Sequence, residues 1–265
     1  MVGDYYEQLV GHPDASRAAG WDHPLGQAAR YEAAVAVVTP GDEVLDVGCG
    51  PAGLARYLRR SGIDVGYLGL DALPAMVARA RAEVPGLDVR VGDALAGSLP
   101  TADVVVGIGT LVSGEALTRD GVRFGRFRRL AAALLAAARR VAVVVALDQD
   151  ALRERPALAS DPALGGVSRA EAAWIAAELG VELHVRQILT TDLALYLVPP
   201  GGACPPLPER VTERVLAGPA FAPGDHVGEA WLWYASGEPA RAREALARPG
   251  LVECATVRWL RAAVG

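Results

Sequence analysis

The decisive stretch is Val44-Leu45-Asp46-Val47-Gly48-Cys49-Gly50-Pro51-Ala52-Gly53. The run EVLDVG, residues 43–48, reads as a buried strand bounded by glycine, and GPAGLARYLRR reads as a short helix. Gly48, Gly50 and Gly53 have G-x-G-x-x-G spacing. They follow a strand and open a helix, which is the context that gives this spacing meaning. Glycine permits the tight turn and the close approach of a ligand, and a helix N-terminus offers free N–H groups.

Outward from that loop, strand and helix patterns alternate. VGYLGLD (65–71), LDVRVGD (87–93), ADVVVGIG (102–109) and VAVVVAL (141–147) read as strands two to five. ALPAMVARARAEV reads as a helix with Leu73, Met76, Val77, Ala80 and Val84 on one face, and RFRRLAAALLAAARR as a helix running to Arg140. Ser168 and Glu171 form a capping box for a helix ending at Gly180. ELHVRQIL and LALYLVPP lie only a few residues apart, around Thr190 to Asp192, so they must pair antiparallel. Helical crossovers between the first five strands make those parallel, with helices on both faces. The expected fold is α/β: a doubly wound, mostly parallel, Rossmann-like sheet of seven strands. The hairpin closes it with an antiparallel strand at an edge.

Three of these strands end in acid. Asp46 lies two residues before Gly48, where it would repel a pyrophosphate but suit an ammonium group. Asp71 ends the second strand and can accept both hydroxyls of a ribose. Asp93 ends the third and can meet the exocyclic amine of an adenine. In an open α/β sheet the ligand lies at these carboxyl ends.

VLDVGCGPAG, YLGLDAL and VRVGDAL together resemble three successive motifs of the class I S-adenosylmethionine-dependent methyltransferases, and the resemblance spans about residues 25–200. It implies S-adenosylmethionine as cofactor. It also implies that Asp46 and Gly48, Cys49 and Gly50 hold the methionine end, and that Asp71 binds the ribose with Leu70 and Ala72 beside it. Asp93 and Ala94 would flank the adenine, with Gly109 and Thr110 near the methyl group. Adenine and glutamine-amide methylators of this family carry Asn-Pro-Pro-aromatic after the fourth strand. GIGTLVSG stands there in this chain, which disfavours those acceptors. A small-molecule acceptor is expected. His12, His23, Asp148 and Glu115 are the candidates for a general base, if one is needed. Tyr5, Tyr6, Trp21 and Tyr31 are candidates for an acceptor wall. Two rivals stay open: a nicotinamide-dependent oxidoreductase, and a non-catalytic S-adenosylmethionine-binding module.

Composition excludes other chemistries. All 26 basic residues are Arg, and Lys and Asn are absent, which removes Lys Schiff bases, the phosphate-loop Lys and N-glycosylation. Three cysteines and four histidines lack metal-ligand spacing, so no metal is expected. The net charge of −5 argues against nucleic acid and anionic membranes as partners. The longest apolar tract, Leu130 to Leu147, is broken by Arg139 and Arg140 and falls short of the ~20 apolar residues of a membrane span. No signal sequence is visible, so a cytoplasmic protein is expected.

Three zones follow: an N-terminal helical lid and acceptor segment (1–42), a cofactor-binding domain (43–200), and a helical annex (201–265) beyond the breaker run PPGGACPPLP. The annex holds seven acidic residues and seven Arg, too neutral for a DNA reader. It is expected to be a small helical unit or self-association surface anchored by Trp231, Trp233 and Trp259.

Overall fold

The computed structural model describes residues 2–21, 23–110, 125–155, 166–249 and 251–265. Five parallel strands, β1 (Glu43–Val47), β2 (Gly66–Asp71), β3 (Asp88–Val91), β4 (Ala102–Ile108) and β5 (Ala138–Asp148), are joined by β6 (Gly166–Val167), β7 (Glu182–Leu189) and β8 (Asp192–Val198). The sheet order is β3-β2-β1-β4-β5-β8-β7, with the two-residue β6 beside the end of β5.

The doubly wound sheet is as expected, with two differences of detail. β6 is an eighth strand. The antiparallel strand is β8, which pairs with β5 and β7 and so lies one place in from the edge. Burial explains the order. Every residue of β8 is buried, whereas most of the charged and polar β7 is not.

Alternate strand residues feed opposite layers. Val104, Val106, Val141, Val143 and Val145 share a buried cluster with α3 (Pro24–Val35) and α4 (Gly53–Arg60). Val105, Ala142 and Val144 meet Phe127 and Leu134 of α6 (Gly125–Ala137) and Ile175 of α8 (Arg169–Leu179). Each such buried Leu, Ile or Phe contributes roughly 1.5–3 kcal/mol. The capping box of Ser168 and Glu171 opens α8, and Gly180 closes it at φ +67°. The α6 helix stops at Ala137, short of the expected Arg140. Arg139 instead bonds Asp103 and Glu43, and Arg140 bonds Asp42, at the start of β5.

The cap before β1 comprises α1 (Val2–Leu9), α2 (Ala15–Ala18) and α3. Beyond β8 lie α9 (Val211–Ala217), α10 (His226–Ala235), α11 (Pro239–Leu246) and α12 (Ala255–Val264). Val211 and Val215 of α9 and Leu232 of α10 belong to the cluster that holds Tyr31 and Val104. Trp233, Leu246 and Leu260 form a separate small core. Trp259, expected as an anchor, is half exposed and meets Tyr234 edge-on. Among the described residues, no helix is long and apolar enough to cross a membrane.

Candidate active site

The sheet order reverses between β1 and β4, the place where open α/β sheets bind ligands. A cavity of about 280 Å³ opens there. The floor comes from four strand ends: Val47 to Gly50, Asp71 to Leu73, Gly92 to Leu95, and Ile108 to Thr110. The cap adds Tyr6, Ala19, Trp21 and Tyr31. Arg30 lies 4.4 Å over the Trp21 ring, and its guanidinium pairs with buried Asp192 at the start of β8.

The turn from β1 to α4 is left-handed at Gly48 (φ +74°), Gly50 (φ +51°) and Ala52 (φ +57°). A Cβ on Gly48 would lie 2.5 Å from Thr110 Cγ2, so glycine is needed there for space as well as for φ. The N–H groups of Gly48 and Cys49 both donate to the Leu70 carbonyl, at 2.7 and 3.0 Å, and that of Gly50 donates to Asp71 Oδ2 at 2.9 Å. All three are therefore spent inside the protein. A pyrophosphate at this turn would meet two carboxylates and none of these N–H groups.

Asp46 and Asp71 are buried in the cavity wall. Burial, with Asp71 nearby, pushes the Asp46 carboxyl up to about 7, although Tyr67 donates to its Oδ2 at 2.6 Å. Asp71 is also raised by burial. Its Oδ1 accepts from Leu73 N and its Oδ2 from Gly50 N, both at 2.9 Å. Each oxygen keeps further acceptor capacity. Asp93 is exposed, and its Oδ1 accepts from Leu95 N at 2.8 Å.

The cavity thus gathers Asp46, Gly48, Cys49, Gly50, Asp71, Ala72, Asp93, Ala94 and Gly109, together with Thr110. Of the four general-base candidates, His12, His23 and Asp148 are not in its lining. His12 Nδ1 accepts from Asp14 N. His23 caps α3 through Leu25 N and stacks on Trp231. Asp148 caps α7 (Gln149–Arg153) through Asp150 N and Ala151 N. All three are used as local acceptors at turns or helix starts. Glu115 and the side chain of Tyr5 lie outside the described residues. Cys49 is buried and burial pushes its thiol up, which makes it a poor nucleophile. Tyr67 was missed as the partner of Asp46, because strand alternation gives a face and not a contact. Met76 was read only as core, yet it lines the cavity.

No curated protein matches the chain in sequence. A family model described as a methyltransferase domain matches residues 44–121. Among solved structures, the DhpI-SAM-HEP complex is similar at 20% identity and TM-score 0.54, over 74% of this chain and 95% of that one. A chain from the complex containing the Haloferax volcanii Trm112 methyltransferase activator aligns at 17% identity and TM-score 0.56, over 73% and 97%. An S-adenosylmethionine-dependent methyltransferase from Mesorhizobium loti aligns at 17% identity and TM-score 0.50, over 66% and 99%. Identities this low speak for the fold. The family match adds a likeness in sequence to methyltransferase domains, and it begins inside β1 and runs through the strands whose ends floor the cavity. Residues 44–121 thus match a methyltransferase domain, and the fold around them is the one that S-adenosylmethionine-dependent methyltransferases share.

Proposed function

We propose that the protein methylates a small-molecule acceptor, and that the described cavity holds S-adenosylmethionine with the acceptor against the aromatic cap. The observation that carries this reading is the pairing of buried Asp46 and Asp71 around a turn whose N–H groups are already bonded. Such a site suits a cationic amino-acid end and a ribose. Asp46 would hold the ammonium, Asp71 the two ribose hydroxyls, and Asp93 with Ala94 the adenine. When bound, the cofactor supplies an activated methyl group on a positively charged sulfur.

The chain's own residues then bind, orient and exclude water. In the free protein at neutral pH, Asp46 is poised between protonated and ionised forms. An ammonium beside it favours the ionised one. Tyr67 fixes the carboxyl through Oδ2. Trp21, Tyr31 and Leu130 supply apolar wall, which keeps water from the reacting atoms. Gly109 and Thr110, at the end of β4, would face the acceptor.

Calorimetry with S-adenosylhomocysteine and NAD tests the site. S-adenosylhomocysteine is expected to bind and NAD to give no heat. An acceptor screen with methyl-labelled cofactor tests the substrate class. Label recovered only in protein or nucleic acid would overturn the small-molecule reading. Scattered cysteines suit a reducing cytoplasm. Trp259 is the part of the annex that would serve self-association, which light scattering of a Trp259→Ser variant checks.

A further inference from the structure

We propose that Arg79, on α5 (Pro74–Glu83), is a positioning residue that latches the N-terminal cap over the cofactor and sets how fast the cofactor leaves. The inference rests on the proposed cofactor site. Tyr6, Ala19 and Trp21 of the cap wall the cavity. The cap therefore borders the path of a bound molecule on that side, and its opening would widen the way out.

All three nitrogens of the Arg79 guanidinium find acceptors. Its Nη1 donates to the carbonyls of Val10 and His12, both at 2.6 Å, and its Nη2 reaches the Pro13 carbonyl at 3.5 Å. Nε donates to Glu83 Oε1 at 2.6 Å, one helical turn along. The Val10 and His12 carbonyls lie just past the end of α1, where a helix leaves acceptors unpaired and favours a cation. Arg79 therefore caps α1 from a different element.

The same cluster reaches the glycine turn. The other oxygen of Glu83 pairs with Arg56, and Arg56 donates to the Pro51 carbonyl at 2.8 Å. Met76, one turn before Arg79 on α5, lines the cavity itself. One helix thus carries a cavity residue, the latch and the latch's counter-ion. The α2 part of the cap has its own tie, Ser16 Oγ donating to Gln27 Oε1 of α3 at 2.7 Å. Loss of the Arg79 bonds would loosen the Val10–Pro13 turn and with it α1, while α2 stays on α3.

Two readouts test this with the full chain. The first is stopped-flow release of S-adenosylhomocysteine from wild type, Arg79→Gln and Arg79→Lys. Arg79→Gln should release it roughly tenfold faster or more, because loss of charge-assisted bonds is expressed mainly in dissociation. Arg79→Lys should be intermediate, and Arg90→Gln, on the exposed face of β3, should match wild type. The second is amide exchange in the ligand-free protein. Arg79→Gln should speed exchange across residues 2–13 and leave α8 unchanged. Unchanged exchange at the cap, or wild-type release from an Arg79→Gln protein whose parent binds the product, overturns the latch. A wild-type protein that binds no product overturns the cofactor reading and with it the release half of the proposal. The exchange result then judges the tie alone.

Discussion

The Tyr31 hydroxyl occupies the space that a side chain on Gly53 would need. Gly53 is the third glycine of the motif. Its neighbour is a side chain of the cap rather than a ligand. Tyr31 leaves α3, leans on Tyr57 of α4 with ring centroids 5.6 Å apart, and also lines the cavity. The N-terminal segment is thereby keyed into the start of α4.

Gly53→Ala should therefore destabilise the protein by about 1–3 kcal/mol through overpacking, with no backbone penalty because φ at Gly53 is not positive. Thermal melts should show a fall of several degrees. In a Tyr31→Leu background the same change should cost clearly less, as coupled neighbours do. Equal losses in both backgrounds would show that this contact is not the cause.

The raised Asp46 carboxyl gives stability a pH dependence of defined sign. Its value rises from 3.8 to about 7 on folding. Between those limits the folded state holds a proton that the unfolded state has lost. The ligand-free protein should thus lose stability as pH rises from about 4 to about 7. Asp46→Asn should remove this part of the slope and be the more stable protein at pH 8. Affinity for S-adenosylhomocysteine should move the opposite way, tightening from pH 6 to 8 in wild type and staying weak in the variant. Denaturant melts and calorimetry across this range provide the check. A wild-type affinity that does not change with pH would remove Asp46 from the ammonium site.

The cavity at the strand ends was legible because an open α/β sheet leaves its crevice there, and Asp46, Asp71 and Asp93 all fall in its lining. Edge from interior was also written in the hairpin, since ELHVRQIL carries charge and LALYLV does not. Reading the antiparallel strand as an edge overlooked that contrast. The base candidates misled for a local reason. Asp148 and His23 directly precede helices, where an acceptor side chain is in demand as a cap. Arg79 was illegible altogether. An Arg on the outer face of α5 looks like any solvated charge until α1 arrives from 69 residues away.

Asp71 accepts from the Gly50 and Leu73 N–H groups and is also the proposed ribose acceptor, which separates two measurements. Asp71→Ala should strip the ribose of its acceptor and lower affinity for the cofactor product by ~10- to 100-fold, or ~1.4–2.8 kcal/mol. It should also leave the Gly50 and Leu73 N–H groups without their acceptor, at about 1–3 kcal/mol each if no water replaces it. The ligand-free melt should fall too. Asp71→Glu keeps the charge and misplaces the fork, so both effects should be smaller. Affinity within twofold of wild type for Asp71→Ala would mean that the ribose is held elsewhere.

The annex ought to be part of the same folding unit as the cofactor domain, and Trp231 is where this can be tested. His23, which caps α3, lies flat against the Trp231 ring, 3.9 Å between centroids and 10° between planes. Burial pushes the His23 imidazole down, so the stacked form at neutral pH is uncharged. A Cβ on Gly26 would come within 2.9 Å of the same indole. Trp231 of α10 thus fixes the start of the helix whose later turn carries Tyr31 into the cavity. Trp231→Ala should cost about 2–4 kcal/mol, below the range for a fully buried Trp because this ring is partly exposed. Trp231→Phe should retain the stack and lose less. Affinity for the cofactor product should fall with Trp231→Ala although the residue does not line the cavity. Deletion of residues 202–265 is more severe. It removes Val215 and Leu232 from the shared core, and it takes Arg214 from Glu32, a carboxylate only 4% exposed whose remaining partner is Tyr57. A buried carboxylate without its cation is costly. The shortened chain should show no cooperative melt. A chain ending at Gly201 that melts sharply and binds the product as wild type does would restore the boundary at residue 200.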